Sequence, residues 1–367
     1  VDAVLIGTGG ARGWPEPGCG CASCRRAAAS GPPRSPSQAL IGGTLILQPG
    51  QPLRPGADPP GGYRVSALAG GWDITGPDGT RLLAAAGPDQ VPEPAGGALP
   101  YDLVLLDLLG RPAQLGWLRA RGLVHPRTAV VVAHTDHRVT SEPELARRCD
   151  IWGASLVRDG ATVRGPLPEP SQPASARPGR TLIIGGARSG KSREAELRLA
   201  GEPSVTYIAA GPWADESWTG ADGAPDTEWA ARVAAHRAAR PHWWRTVETL
   251  DIAAALAAAD RDTTALLIDG IGTWLAAVMD QDGAWAEPTT TGAMDRVASR
   301  MAALTAAWRQ ASGPIVAVTD QVGEGLVPAY PAGRAFRDQL GWLNQRLAAE
   351  SDLVLHVVAG RVQALPG

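Results

Sequence analysis

This 367-residue chain has 34 lysines and arginines, but only one is a lysine, Lys191. Asparagine and phenylalanine also occur once each, as Asn344 and Phe336. A composition rich in Ala, Gly, Pro and Arg replaces lysine by arginine wherever arginine will serve, so the surviving lysine marks a place where it will not. Cysteine is scarce too: four residues, three of them crowded into Cys19-x-Cys21-x-x-Cys24. That spacing excludes a disulfide framework and fits a metal site in a reducing cytoplasm. No apolar run reaches the roughly 18 residues needed to span a bilayer. Val1-Asp2-Ala3-Val4-Leu5-Ile6 reads as a short strand and not as a secretory leader. A net charge of −3 gives no overall field for nucleic acid or a membrane surface. The 45 glycines and 32 prolines are many, yet fewer than in unstructured low-complexity chains.

The lone lysine lies in Gly185-Gly186-Ala187-Arg188-Ser189-Gly190-Lys191-Ser192, which fits the phosphate-binding loop G-x-x-x-x-G-K-[ST]. Its ammonium is compact enough to follow the β- and γ-phosphates inside a tight backbone nest, where a planar guanidinium would not fit. The apolar stretch Thr181-Leu182-Ile183-Ile184 before it predicts a buried strand, and a helix is expected from about Gly190 to Ala200. Loop N–H groups and the helix N-terminus would then hold phosphate oxygens, with Ser192 reaching Mg²⁺. Asp269 ends the apolar run Ala265-Leu266-Leu267-Ile268, where a Mg²⁺-associated carboxylate would lie.

Further strands are expected at Val205–Ala209, Ile315–Thr319 and Leu353–Val358, the last closing the sheet, with helices over about Thr227–Ala239 and Ala335–Ala349. Apolar strands alternating with helices imply a mostly parallel sheet covered on both faces. Prolines at 166, 168, 170, 173 and 178 mark residues 165–179 as a stiff linker, dividing a domain over 1–164 from one over 180–367. The first domain has fewer helices and more short strands, the best being Val4–Ile6, Leu45–Leu47, Leu103–Asp107 and Ala129–Val132. It reads as α+β or layered α/β. In the second, Glu228, Arg232, His236 and Arg240 recur every four residues, along one helix face. Spacing alone also suits a solvated face with an incidental histidine. Alternatively, the flanking arginines favour a neutral, nucleophilic imidazole and can hold a phosphate against it.

From Arg180 to about Val362 the chain resembles the bifunctional adenosylcobinamide kinase / adenosylcobinamide-phosphate guanylyltransferases. The resemblance rests on the loop 185–192, Tyr207-Ile208-Ala209, Glu228 to Arg232, His236 with Arg240-Pro241, and Trp244-Arg245-Thr246-Val247-Glu248. It continues through Val322-Gly323-x-Gly325-Leu326-Val327-Pro328, Phe336-Arg337-Asp338 and Asn344-Gln345-Arg346-Leu347-Ala348. It implies a P-loop NTPase domain with two reactions. ATP or GTP phosphorylates adenosylcobinamide. GTP then guanylylates a histidine, which passes GMP to the new phosphate to give adenosylcobinamide-GDP. By this resemblance His236 is the guanylylated residue, with Lys191 and Asp269 also catalytic and Mg²⁺ at Ser192 and Asp269. The nucleotide-binding set adds Ala209, Ala210, Gly211, Arg237, Arg240 and Glu248 to the loop. A homo-oligomer is expected, with no nucleic-acid partner and no membrane span. The family usually reads Asn-Glu where this chain has Asp320-Gln321, and Glu more often than Asp at 269; residues 212–225 are an insertion.

Leu5-Ile6-Gly7-Thr8-Gly9-Gly10, the cysteine cluster, Arg34-Ser35-Pro36-Ser37 and the pair His134/His137 resemble metallo-β-lactamase-fold phosphodiesterases, patchily over 1–164. Those enzymes depend on an H-x-H-x-D-H motif, and this chain has no histidine before His125. Asp107 and His134 match two surviving positions, too few for two hydrolytic metals. The implied domain is therefore layered, metallo-β-lactamase-like and degenerate, with a structural zinc on Cys19, Cys21, Cys24 and a fourth ligand. His137 matches that ligand by resemblance, and Cys149 is its rival. Two other readings of the whole chain stay open: a kinase without guanylyltransferase activity, and a non-catalytic nucleotide-binding scaffold.

Overall fold

A computed structural model of the chain describes residues 1–49, 60–169, 179–211, 231, 233–234, 237–238, 240–259, 264–285 and 289–367. They fall into two compact units, Val1–Pro173 with Ala200–Pro203, and Ala174–Leu199 with Ser204–Gly367.

The first unit is layered α/β, built on two sheets. One sheet is antiparallel, in the order β3 (Leu45–Leu47), β2 (Gln38–Ile41), β1 (Asp2–Gly7), β9 (Ala161–Arg164). The other runs β4 (Arg64–Leu68), β5 (Gly71–Thr75), β6 (Arg81–Ala85), β7 (Leu103–Leu106), β8 (Ala129–Val132); β4–β6 pair antiparallel and β6–β8 parallel. Alternate residues of both sheets meet in one core: Ala3, Leu5 and Ile41 from the first, Ile74, Leu82, Leu103 and Val131 from the second. That is the period-two signature of two sheets packed face to face. Among the described residues three α-helices accompany them: α1 (Ala22–Ser30), α2 (Ala113–Ala120) and α3 (Glu142–Trp152). Ser141 caps α3, its hydroxyl accepting from Glu144 N.

The second unit is an α/β domain built on one mostly parallel sheet. Its sheet runs β12 (Arg245–Glu248), β11 (Val205–Ala209), β13 (Ala265–Asp269), β14 (Ile315–Asp320), β10 (Arg180–Gly185), β15 (Leu353–Val358), β16 (Arg361–Leu365). The first six strands are parallel, and β16 returns antiparallel through a tight turn at Ala359-Gly360, both at positive φ. β15 therefore does not close the sheet as expected. β14 reaches one residue further than expected, through Asp320. Its helices include α4 (Lys191–Leu199), α5 (Ile252–Ala258), α6 (Ile271–Gln281), α7 (Ala293–Gln310) and α8 (Pro331–Ala349). α8 starts four residues before the expected Ala335, because Pro331 suits the first helical turn. Leu266, Ile268 and Ala317 face a core with Trp274, Leu275, Leu304 and Leu343; Ile183, Leu267 and Val316 face the opposite one with Leu199 and Trp244. Burial on both faces explains the continuous apolar runs. Among the described residues no helix is long and apolar enough to cross a membrane.

Candidate functional site

Parallel pairing brings the carboxyl ends of five strands to one edge. Ala209 is in register with both Glu248 and Asp269, and Gly185 with Asp320. In an open α/β sheet this edge is where ligands bind. The loop 185–192 joins β10 to α4 there. Gly185 admits no side chain, since a Cβ would come within 2.5 Å of Ser189 Oγ and 2.7 Å of the Val357 carbonyl. Arg188 and Gly190 take positive φ, 55° and 99°. The Gly360 N–H donates to the Ser189 carbonyl at 2.8 Å, so the β15–β16 turn fastens the loop. Ser189 Oγ is buried without a hydrogen-bond partner, as suits a loop that closes on an oxygen ligand.

Lys191 is buried. Its Nζ donates to the Gly186 carbonyl at 3.1 Å and pairs with Asp320 Oδ1 at 3.0 Å. Ser192 Oγ donates to Asp269 Oδ1 at 3.3 Å, and the Tyr207 hydroxyl donates to Asp269 Oδ2. The Arg240 guanidinium lies 3.3 Å over the Tyr207 ring. Burial, then the Asp269 charge, pushes the Tyr207 hydroxyl well above its ordinary range. One turn beyond Ser192, burial and then Asp269 push the Glu196 carboxyl up to about 7, against the pull of Arg240 and Arg193. Neither Tyr207's grip on Asp269 nor Glu196 was anticipated. Glu196 could have been found from its i+4 spacing to Ser192; Tyr207 required knowing that β11 neighbours β13.

The structure thus brings together the loop residues, Asp269, Ala209 and Arg240. Ala210 N donates to the Asp269 carbonyl at 3.2 Å, and Gly211 follows it. Arg237 and Glu248 pair with each other. Glu228, Arg232, His236 and the insertion 212–225 lie outside the described residues; residues 231, 233, 234, 237 and 238 are helical.

In the first unit, Cys19, Cys21, Cys24 and His137 place their ligand atoms within 4.8 Å of one another. His137 Nδ1 is 3.9 Å from the sulfurs of Cys19 and of Cys24, and 3.3 Å from Glu16 Oε2. Cys21 caps α1, accepting from Cys24 N at 3.4 Å, and that bond leads the lowering of its thiol. Burial pushes Cys24 up to about 11. Cys149 is buried on α3 and does not join the group, so of the two candidate fourth ligands the fold gathers His137. Three thiols and an imidazole are donor types found together in four-coordinate structural zinc sites.

Asp107 and His134 form no such group. Both Asp107 oxygens are taken by Arg138, at 2.7 and 3.1 Å, and by the N–H groups of Asp89 and Leu109. Arg138 also donates to Asp89, Asp136 and the His134 carbonyl. Burial holds the His134 imidazole below its usual range, against the pull of Asp107, and its Nδ1 has no partner. Among the described residues the cysteine cluster is the one group of three or more His, Cys, Asp or Glu side chains drawn closely enough together to hold a metal.

Residues 181–365 match the family described as cobinamide kinase / cobinamide phosphate guanyltransferase. The bifunctional adenosylcobalamin biosynthesis protein CobU of Salmonella typhimurium is 37% identical over 183 residues, 49% of this chain and 95% of that protein. CobP of Pseudomonas aeruginosa, similarly described, is 37% identical over 191 residues, 51% of this chain and 98% of that protein. Among solved structures, Zn²⁺-bound PqqB from Methylobacterium extorquens aligns at 14% identity and TM-score 0.32, covering 45% of this chain and all of that one. The ATPase EscN of enteropathogenic E. coli aligns at 17% identity and TM-score 0.32, over 50% of this chain and 43% of that one. Likenesses that weak carry no argument about either unit.

Proposed function

The chain belongs to the cobinamide kinase / cobinamide phosphate guanyltransferase family, and from that premise we propose that its second unit phosphorylates adenosylcobinamide with ATP or GTP and then converts the phosphate to adenosylcobinamide-GDP. The observation that carries this reading is the cluster at the sheet edge, where the single lysine and the Ser192–Asp269 pair meet around one phosphate-binding loop. In the kinase step the loop N–H groups and Lys191 hold the triphosphate, while the acceptor hydroxyl attacks the γ-phosphorus and the nucleoside diphosphate leaves. In the second step GTP seats in the same loop and His236 attacks the α-phosphorus, expelling pyrophosphate. The phosphoramidate so formed is labile, and the corrinoid phosphate displaces the histidine to take GMP. Splitting one transfer into two is covalent catalysis. Arg240, stacked over the Tyr207 ring, would hold phosphate for the step at His236. Ser192 and Asp269 would hold Mg²⁺, which screens the phosphate charges when bound. Tyr207 fixes the Asp269 carboxylate by its second oxygen.

Cys19, Cys21, Cys24 and His137 would hold one structural zinc, closing four coordination positions and leaving none for chemistry. The first unit is read as a metallo-β-lactamase-like domain that no longer hydrolyses phosphodiesters, supported by the Arg138 guanidinium on Asp107. Adenosylcobinamide, its phosphate, ATP and GTP are the substrates, in the cytoplasm, and the chain is read as a homo-oligomer.

The test is product analysis with the full chain. Adenosylcobinamide with ATP, GTP and Mg²⁺ should yield adenosylcobinamide phosphate and then adenosylcobinamide-GDP. A chain yielding neither has lost the proposed function. Metal analysis of the same preparation should find about one zinc per chain; two metals, or none after gentle purification, contradict the zinc assignment.

A further inference from the structure

Two stretches of the second unit, Val322-Gly323-x-Gly325-Leu326-Val327-Pro328 and Phe336-Arg337-Asp338, lie outside the nucleotide-binding set. The fold joins them at the edge of the site. β14 ends at Asp320, beside the phosphate-binding loop, and the next residue, Gln321, donates its N–H to the Gly185 carbonyl at 3.0 Å. Residues 321–330 therefore set out from the loop that would hold the triphosphate, and α8 follows them at Pro331.

This segment has no regular secondary structure, yet it is fastened along its length. Val322 packs against the core. Arg337 of α8 donates to the Gly323 carbonyl at 2.9 Å, and Arg334 donates to the carbonyls of Pro328 and Ala329 at 2.9 and 2.7 Å. A Cβ on Gly333 would come within 2.7 Å of the Tyr330 ring and 2.8 Å of Pro328, so glycine is needed there to let both lie against the first turn of α8.

What the fastened segment presents is apolar. Leu326 is 97% exposed, and Val327 and Tyr330 are each 66% exposed. One exposed apolar side chain is ordinary, but three within five residues, on a backbone tied down from behind, make a surface suited to a ligand. Gln321, Glu324, Arg334 and Arg337 flank it with polar groups. An apolar centre with polar flanks fits a macrocycle that has apolar faces and an amide-bearing edge, and a corrin is one. Three side chains are far fewer than the roughly 20 to 30 residues a side of a stable protein interface, so a second copy of the chain fits less well. From Asp320 to Leu326 the chain spans at most about 20 Å, a distance that a corrin and its hydroxyl-bearing arm can cover.

We propose that Leu326, Val327 and Tyr330 seat the corrin ring of the acceptor, with its hydroxyl entering at the phosphate-binding loop; this rests on the kinase reading above. Adenosylcobinamide and its phosphate share the ring, so one seat serves both steps.

Equilibrium dialysis of the full chain against each acceptor, read by corrin absorbance, tests the seat. Leu326→Ser combined with Val327→Ser should weaken binding of adenosylcobinamide and of its phosphate alike, by at least about 10-fold, as two apolar side chains cease to cover the ring. KM for adenosylcobinamide in the kinase step should rise by the same factor with kcat held, the mark of lost uniform binding. Labelling by α-phosphate-labelled GTP involves no corrinoid and should persist. Unchanged corrinoid binding would overturn the proposal. So would a parallel loss of labelling, which would make the segment a support for the phosphate-binding loop, or a changed oligomeric state in light scattering, which would make it a contact between copies. Should the double variant not fold, Val327→Thr carries the same test, with a loss of about threefold expected for both acceptors and unchanged binding again overturning the proposal. A wild-type chain that binds no adenosylcobinamide would instead strike the functional reading itself.

Discussion

In the first unit Arg138 meets Asp107, Asp89 and Asp136; in the second Lys191 meets Asp320 and a carbonyl. The guanidinium makes five hydrogen bonds, spending all its N–H donors on the protein. The ammonium makes two and keeps one. Both sites set a cation against carboxylate at the ends of parallel strands, yet one is closed by its own arginine and the other is open to an anion. A polar cluster therefore signals chemistry when its cation retains a donor. An arginine that answers every acid in reach makes the same cluster structural. The proline-rich residues 165–179 are read as joining a domain over 1–164, whose site is closed, to one over 180–367, whose site is open.

The largest effect should follow from removing the open cation. Lys191→Ala should lower both phosphorylation and GMP labelling by at least about 1,000-fold, because the triphosphate seats in the same loop for both steps. Near-normal kinase turnover in steady-state assays of that variant would break the shared-site account. The closed cation should matter to stability instead. Arg138→Ala leaves the buried Asp107 without its countercharge and should cost about 3 kcal/mol in denaturant unfolding. It should gain no phosphodiester hydrolysis with added Zn²⁺ or Mn²⁺. A metal-dependent rate lost again on His134→Ala would show that the first site is dormant and not dismantled.

A smaller effect tests the electrostatics of the open site. The folded-state carboxyl of Glu196, pushed up to about 7, lies above its unfolded value near 4.5. Folded protein then binds the extra proton between those values, so wild-type stability falls as pH rises through that window. Glu196→Gln removes this dependence, and should match the wild type near pH 5 and exceed it by about 1–2 kcal/mol near pH 8. Equal pH profiles for the two proteins would mean that Glu196 is better solvated than the site implies.

The loop was legible because its glycine spacing and lone lysine are local properties, and Asp269 because it punctuates an apolar run. What depended on strand order was not. Asp320 reads in sequence only as a charge displaced by one residue; its contact with Lys191 needs β14 beside β10, strands more than a hundred residues apart. Tyr207 reads as part of an apolar strand, and its hold on Asp269 comes from β11 lying beside β13. β12 and helices α5, α6 and α7 went unnamed, although α6 buries Ile271, Trp274, Leu275 and Val278, and α7 buries Val297, Met301, Leu304 and Trp308, at helical spacing. The spacing of Cys19, Cys21 and Cys24 announced a metal site, but the choice between His137 and Cys149 belonged to tertiary structure.

The central claim is that GTP is split at the α-phosphorus by His236. Incubation of the full chain with α-phosphate-labelled GTP and Mg²⁺, followed by denaturation and mapping, tests it most directly. The account predicts an acid-labile label on the wild type and on His242→Ala, and none on His236→Ala. His236→Ala should still phosphorylate adenosylcobinamide and accumulate the phosphate, since that step needs only the seated triphosphate, Mg²⁺ and an aligned acceptor. Label that survives His236→Ala and disappears with His242→Ala would contradict it.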